Sequence, residues 1–454
     1  MSHTTTIITE NPFHTFVARP DVPVRFNLNR PNQMALKNVK RFLKIIRAKK
    51  RENVLLPIIA EAGSGKTHLF HVIREVVTDA YPVYIPVPIN TERIFAHIYF
   101  ETVKAGGALL LEWVADYLEQ TYKSVENAAL EFPGMTNIVI TGFFALKDPK
   151  QAKVALKWLT GFDVDTETVH FKRTIMDDED LAFAALQLIL RVIDKPIIFF
   201  IDEVESLFIS QGPEAELRFL ETIKKLVNEA SNFLMCLACL ITLWDKILDL
   251  SSTAFQGRIE PPIVLKHFTK EDITDYCQSV LPEFHVKFDV SPSDPLWPLE
   301  KGDIESSYAY SHGNPREAIK WLAGIIEKRK IALLESLDTN QQYLTKIGGR
   351  VKITIEHVLK GTVGLLHKNH GLLVPVSNEE LRILVIIPPH STVSDLFQES
   401  FWAAVIRRTT SEEYDKIISI GEEEDMGQHR IELEYEYFAE GEFEDGLARI
   451  LKVK

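Results

Sequence analysis

Residues 54–77 read VLLPIIAEAGSGKTHLFHVIREVV. Val54 to Ala60 form a short, nearly continuous apolar run ending at a glycine-bearing turn, the pattern of a strand buried on both faces of a parallel sheet. Gly63, Ser64, Gly65, Lys66 and Thr67 follow, and then a helical stretch. Strand, glycine loop and helix in that order suit phosphate binding: backbone amides cradle phosphate oxygens, a lysine reaches the outer phosphates and a hydroxyl takes magnesium. The full pattern is G-x-x-x-x-G-K-[ST], and here Ala60 replaces its first glycine. That position ends the strand, while Gly63 and Gly65 make the tight turn, so alanine is expected to be tolerated. Glu61, Ala62, Gly63, Ser64, Gly65, Lys66, Thr67 and His68 are the expected nucleotide-binding segment.

Further along, residues 196–207 read PIIFFIDEVESL. A buried strand ending in Asp202 and Glu203 would place both carboxylates at the carboxyl edge of the sheet, where α/β ligands bind. Asp202 is expected to hold magnesium with Thr67, directly or through water, and Glu203 to orient and activate the attacking water. Other strand candidates are Tyr84 to Val87, Ile197 to Ile201 and Phe233 to Ile241. Helical stretches separate them: Thr91 to Lys104, Leu109 to Tyr122 and Leu181 to Ile193. This alternation predicts a doubly wound α/β core. Thr67 and Asp202 are too far apart in sequence for one simple crossover, so helical insertions are expected between them.

The chain has 454 residues, 46% hydrophobic and 25% charged, with 21 Gly and 22 Pro. That composition fits a globular chain of two or three domains and excludes disorder, collagen and disulfide scaffolds. The longest apolar run, Phe233 to Ile241, is about half of what a membrane span needs. The first residues lack the basic and apolar regions of a secretory leader, and the three cysteines suit a reducing compartment. A cytoplasmic location without membrane contact is therefore expected. Cys236 and Cys239 form a C-x-x-C pair inside the apolar run, and His367 and His370 stand close together; both pairs lack the further ligands of a metal site.

The net charge of −13 is unevenly spread. Residues 22–51 hold ten basic side chains and no acidic one, whereas residues 371–454 hold 18 acidic and 8 basic. Leu36, Val39, Leu43 and Ile46 give the basic segment an apolar helical stripe, with Lys37, Lys40, Arg41, Lys44 and Arg47 around it. That cationic face reads as a solvated surface, or as a contact with nucleic acid or an acidic partner. Thr269 and Asp272 stand at capping-box spacing and open a helical region. Beyond it, helices are predicted near Ile355 to Lys368 and Asn378 to Ile387, the second behind a capping box of Ser377 and Glu380. A shorter helix is predicted from Thr392 and Asp395. Two strands, DKIISI and RIELEYEYF, flank GEEEDMGQ, and helices followed by such a hairpin resemble a winged helix.

Taken together, the phosphate loop and the Asp-Glu strand end look like the Walker A and Walker B motifs of P-loop NTPases. The chain resembles AAA+ ATPases, particularly the replication-initiator, origin-recognition-like branch and related phage-defence ATPases, over roughly residues 33–330. The resemblance implies an α/β P-loop ATPase core with helical insertions at 33–268 and a helical lid at 269–330; the pattern outside it adds an N-terminal arm at 1–32 and a winged-helix-like acidic domain at 331–454. The resemblance also implies ATP and Mg2+ as ligands and three further residues. Thr242, after FLMCLACLI, would sense the γ-phosphate. Arg258, in SSTAFQGRIEPPIVLKHFT, would reach a neighbouring subunit's nucleotide. Arg316, in Gly313-Asn314-Pro315-Arg316, would sense the nucleotide of its own subunit.

Two classes of work remain open on the sequence. In one, an ATP-hydrolysing homo-oligomer assembles on or remodels nucleic acid, touching DNA through residues 22–51. In the other, nucleotide controls a protein-interaction switch, with a partner docked on the acidic C-terminal domain. A wing reading GEEEDMGQ would repel phosphates and favours protein binding by that domain. A nucleotide kinase also uses a phosphate loop, but the Asp-Glu pair and the Gly-x-x-Arg motif argue against it.

Overall fold

The structure is a computed structural model describing residues 11–13, 29–88, 90–132, 137–164, 174–287, 291–359, 363–377, 382–393, 395–421, 436–439 and 443–452. The chain divides into two compact units: residues 17–268 with 314–316, and residues 1–16 with 269–313 and 317–454.

The first unit opens with α1 (Asn29–Arg47), whose stripe of Ala35, Val39, Phe42, Leu43 and Ile46 is buried. Then come β1 (Asn53–Ala60), α2 (Lys66–Val76) and β2 (Tyr81–Pro86). Five helices follow: α3 (Ile94–Tyr122), α4 (Val125–Glu131), α5 (Asn137–Ala145), α6 (Ala152–Leu159) and α7 (Glu179–Val192). The unit closes with β3 (Ile197–Asp202), α8 (Val204–Ser210), α9 (Pro213–Glu229), β4 (Phe233–Leu240), α10 (Ile241–Leu250), α11 (Thr253–Gln256) and β5 (Ile263–Val264). The strands form one parallel sheet in the order β2-β3-β4-β1-β5, so the expected α/β core is present.

β1, β3 and β4 are buried almost throughout, as expected where helices cover both faces. Pro57 sits inside β1, where a missing N–H is normally costly. The Leu55 and Ile59 carbonyls accept from the Glu260 and Leu265 amides on the β5 side, so Pro57, at the alternate position between them, faces the same way. The ladder there is interrupted at Pro261 and Pro262, between the isolated bridge at Ile259 and β5, so the proline sits opposite a break in the pairing.

The two helical stretches predicted at 91–104 and 109–122 are one helix, α3, kinked at Gly107 (φ 63°, ψ −168°). By length and composition α3 could cross a membrane, but Ile98, Tyr99, Leu111, Val114 and Leu118 are buried in the core of this unit. The expected helical insertion between Thr67 and Asp202 is thus α3 to α7, and it supplies much of the core on one side of the sheet.

The second unit contains α12 (Lys270–Lys287), α13 (Lys301–Ser311), α14 (Pro315–Leu359), β6 (Leu366–Lys368), β7 (Gly371–Ser377), β8 (Arg382–Ile387), α15 (Asp395–Ser411), β9 (Lys416–Gly421), β10 (Glu436–Ala439) and α16 (Phe443–Lys452). The first two residues of α14 cluster with the first unit. The Thr269–Asp272 capping box is formed: the Thr269 amide donates to Asp272 Oδ2 at 2.9 Å, and the Asp272 amide donates to Thr269 Oγ1 at 3.1 Å.

The winged helix is not what residues 331–454 build. Their strands form a five-stranded sheet, β10-β9-β8-β7-β6, antiparallel from β6 to β8 and parallel from β8 to β10. A wing is a tight antiparallel hairpin, whereas β9 and β10 are parallel, and parallel neighbours need a long connection. Residues 422–435, which hold most of the expected wing, lie outside the described residues, as does Glu380 of the second expected capping box. α14 runs through the expected boundary at residue 330 without a break. Of the helix predicted at 378–387, Arg382–Ile387 form β8 and the rest lie outside the described residues; that at 355–368 ends at Leu359, with Leu366–Lys368 in β6. β8 misleads because both its faces are covered. Ile383, Val385 and Ile387 pack with α14 and α16, while Leu384 and Ile386 pack with α15, leaving no alternation to read.

Candidate functional site

The sequence after β1 turns twice through backbone that only glycine adopts without strain. Gly63 has φ 81° and Gly65 φ 90°, and Gly65 sits at the N-cap of α2. The loop thereby presents its amides ahead of the helix, the arrangement that binds anions. Lys66 is buried, Ser64 Oγ is buried without a hydrogen-bond partner, and Thr67 lies at the start of α2. Burial first, and then the neighbouring His71, pushes the His68 imidazole down to about 4, so it is neutral at pH 7.

β3 brings the two expected carboxylates beside this loop. Asp202 is 1% exposed, and its Oδ2 accepts from Thr67 Oγ1 at 2.6 Å and from the Tyr84 hydroxyl at 3.1 Å. Its Oδ1 accepts from the Glu203 amide at 2.9 Å. A hydroxyl and a carboxylate held in contact form a hard-oxygen pair of the kind magnesium takes. Glu203 follows with φ 60°, a left-handed conformation costing about 1–3 kcal/mol for a side-chain-bearing residue, and its side chain is exposed.

The segment 314–316 seats its backbone on the loop. Asn314 Nδ2 donates to the Ala62 carbonyl at 2.8 Å, and the Arg316 amide donates to the Gly63 carbonyl at 3.4 Å. A Cβ on Gly63 would stand 2.7 Å from Asn314 Oδ1 and 3.0 Å from Arg316 Cβ, so the approach requires glycine. Arg316 Nε is buried with no hydrogen-bond partner. The Glu61 carboxylate lies 3.3 Å from His267 Nε2.

The other two sensing candidates sit differently. β4 ends at Leu240, so Thr242 is exposed on the first turn of α10 rather than closing the strand. Arg258 is exposed in the turn after α11, with no ion pair among the described residues. Cys236 and Cys239 are free and buried on β4, their thiols pushed up to about 12 by burial. His367 lies on β6 and His370 in the turn before β7; among the described residues no cluster of His, Cys, Asp and Glu could hold a metal.

Three residues of the site escaped sequence reading. Tyr84 and Asn314 act through tertiary contact alone. Glu205, three residues past Asp202, lies 3.5 Å from Lys66 and has no motif to announce it.

No protein-family model matches the sequence, and no curated protein matches it. Among solved structures, a Walker-type ATPase of Pyrococcus abyssi is similar at 14% identity and TM-score 0.37, covering 76% of this chain and 83% of its own. The Aeropyrum pernix ORC1 protein, solved in complex with DNA, is similar at 11% identity and TM-score 0.32, covering 77% and 76%. AMPPCP-bound DnaA from Aquifex aeolicus is similar at 13% identity and TM-score 0.30, covering 70% and 73%.

Proposed function

We propose that this chain hydrolyses ATP and uses its nucleotide state to control oligomeric assembly on, or remodelling of, nucleic acid in the cytoplasm. The observation carrying most weight is the seating of Asn314 and Arg316 on the phosphate loop, beside an arginine nitrogen and a serine hydroxyl that are buried and unpartnered. Buried polar groups are normally satisfied, so these two suit a polar ligand at the loop.

In this reading Glu61 to His68 surround the nucleotide and Lys66 holds its outer phosphates. Thr67 and Asp202 hold Mg2+, which when bound neutralises phosphate charge. Glu203, exposed beside Asp202, orients and activates the attacking water by accepting its proton. Arg316 senses the nucleotide of its own subunit, Thr242, exposed on the first turn of α10, senses the γ-phosphate, and exposed Arg258 serves a neighbouring copy's site.

Nucleic acid is assigned to α1. Lys37, Lys40, Arg41 and Lys44, at i, i+3, i+4 and i+7, are exposed along one face and carry no ion pair among the described residues. Arg47 and Arg51, by contrast, are engaged by Asp79 and Glu260. Unpaired cations in a row suit phosphates and give salt-sensitive binding. The second reading, a protein switch that docks a partner on the C-terminal unit, rests on that unit's excess of acid.

Light scattering on the Glu203→Gln variant separates the two. Assembly requiring both ATP and duplex DNA is expected; assembly indifferent to DNA would select the protein switch. Lys66→Ala is expected to abolish ATP binding, and normal binding by that variant would remove the phosphate-loop assignment.

A further inference from the structure

Lys66 is shared. Its Nζ lies 3.5 Å from Glu205 Oε1, with the two side chains 9% and 19% exposed. Among the described residues no other carboxylate stands within ion-pair distance of this lysine. The second oxygen of Glu205, Oε2, is buried with no hydrogen-bond partner. Cys239, across on β4, feels both charges: burial raises its thiol first, the Glu205 carboxylate raises it further, and the Lys66 ammonium opposes.

A half-buried carboxylate with one oxygen unpartnered and one long ion pair is poorly repaid for its lost hydration. The fold therefore gains little from this pair, although removing Glu205 alone leaves Lys66 without a counter-charge until an anion binds. Glu205 does have a consequence for any anion that seeks Lys66. Glu205 competes with a phosphate for the donors of that ammonium, and faces a bound phosphate across a largely buried site where like charges repel strongly.

We propose that Glu205 is a positioning residue that competes with nucleotide phosphate for Lys66, weakening nucleotide affinity and speeding release. The proposal rests on the phosphate-binding reading of Lys66. Removing the charge while keeping the shape relieves both the competition and the repulsion.

The test is titration of a fluorescent ADP analogue with Mg2+ into full-length wild type and Glu205→Gln, with release rates by stopped flow. Glu205→Gln is expected to lower Kd by about ten-fold, mostly through slower release. Glu205→Asp keeps the charge and is expected to stay within about three-fold of wild type. A side chain with only a packing role would give weaker or unchanged binding when altered, and either result in Glu205→Gln overturns the proposal. If Glu205→Gln does not fold, Glu205→Met, similar in length and without the unpartnered oxygen, carries the same expectation. Failure of both to fold marks Glu205 as structural and also overturns it. A wild type that binds no nucleotide removes the phosphate-loop reading as well, whereas wild-type binding with an unchanged Kd in the variant removes this proposal alone.

Discussion

Gly63 shows how much one missing methyl group controls. Its φ of 81° is strained for any side chain, by about 1–2 kcal/mol, and a Cβ would collide with Asn314 Oδ1 and crowd Arg316 Cβ. Gly63→Ala is therefore expected to lower Tm by a few degrees and to push residues 314–316 off the loop, weakening ATP binding by ten-fold or more. Calorimetry and a nucleotide titration check the two effects; a variant with wild-type affinity would separate Arg316 from the nucleotide. Glu203 illustrates the reverse case, since its left-handed backbone is kept although the residue is not glycine. That strain suits the proposed role of Glu203 in activating water. The loop, Asp202 and Glu203 were legible because backbone chemistry dictates their spacing. Glu205 and Tyr84 were not, because a lone acid or tyrosine gains meaning only from what it touches.

At the scale of elements, one expected capping box marks a helix, while the helix expected behind Ser377 and Glu380 is β8 over Arg382–Ile387. The Thr269–Asp272 box formed as read, and removing it tests how much a cap contributes. Thr269→Ala is expected to destabilise by about 1 kcal/mol, with Thr269→Ser close to wild type, measured as a shift in denaturant midpoint. α3 shows the limit of such rules: Gly106 and Gly107 look like a boundary, yet the chain resumes its helix after one non-helical residue because both halves bury apolar side chains in one core. β8 fails for a related reason, as a strand covered on both faces and a buried helix present the same unbroken apolar run.

For the whole molecule, the central expectation is a shared site. Arg258 is exposed and carries no ion pair among the described residues, so in the proposed oligomer it is available to a neighbour. Arg258→Ala and Lys66→Ala should each be inactive alone, and mixing them should restore part of the ATPase rate, because some interfaces then pair an intact loop with an intact arginine. Steady-state hydrolysis across mixing ratios is the measurement, and no recovery at any ratio counts against a shared site. The parallel α/β core, the glycine loop before α2, the Asp-Glu strand end and the cationic stripe of α1 were legible in the sequence alone. Each is written in neighbouring residues, as a run, a turn or a helical period. Tertiary structure alone decided that Asn314 and Arg316 sit on the loop, that Glu205 shares Lys66, and that the C-terminal strands form a mixed sheet instead of a wing. Those outcomes depend on which distant segments pack together, and no local pattern of side chains encodes that choice.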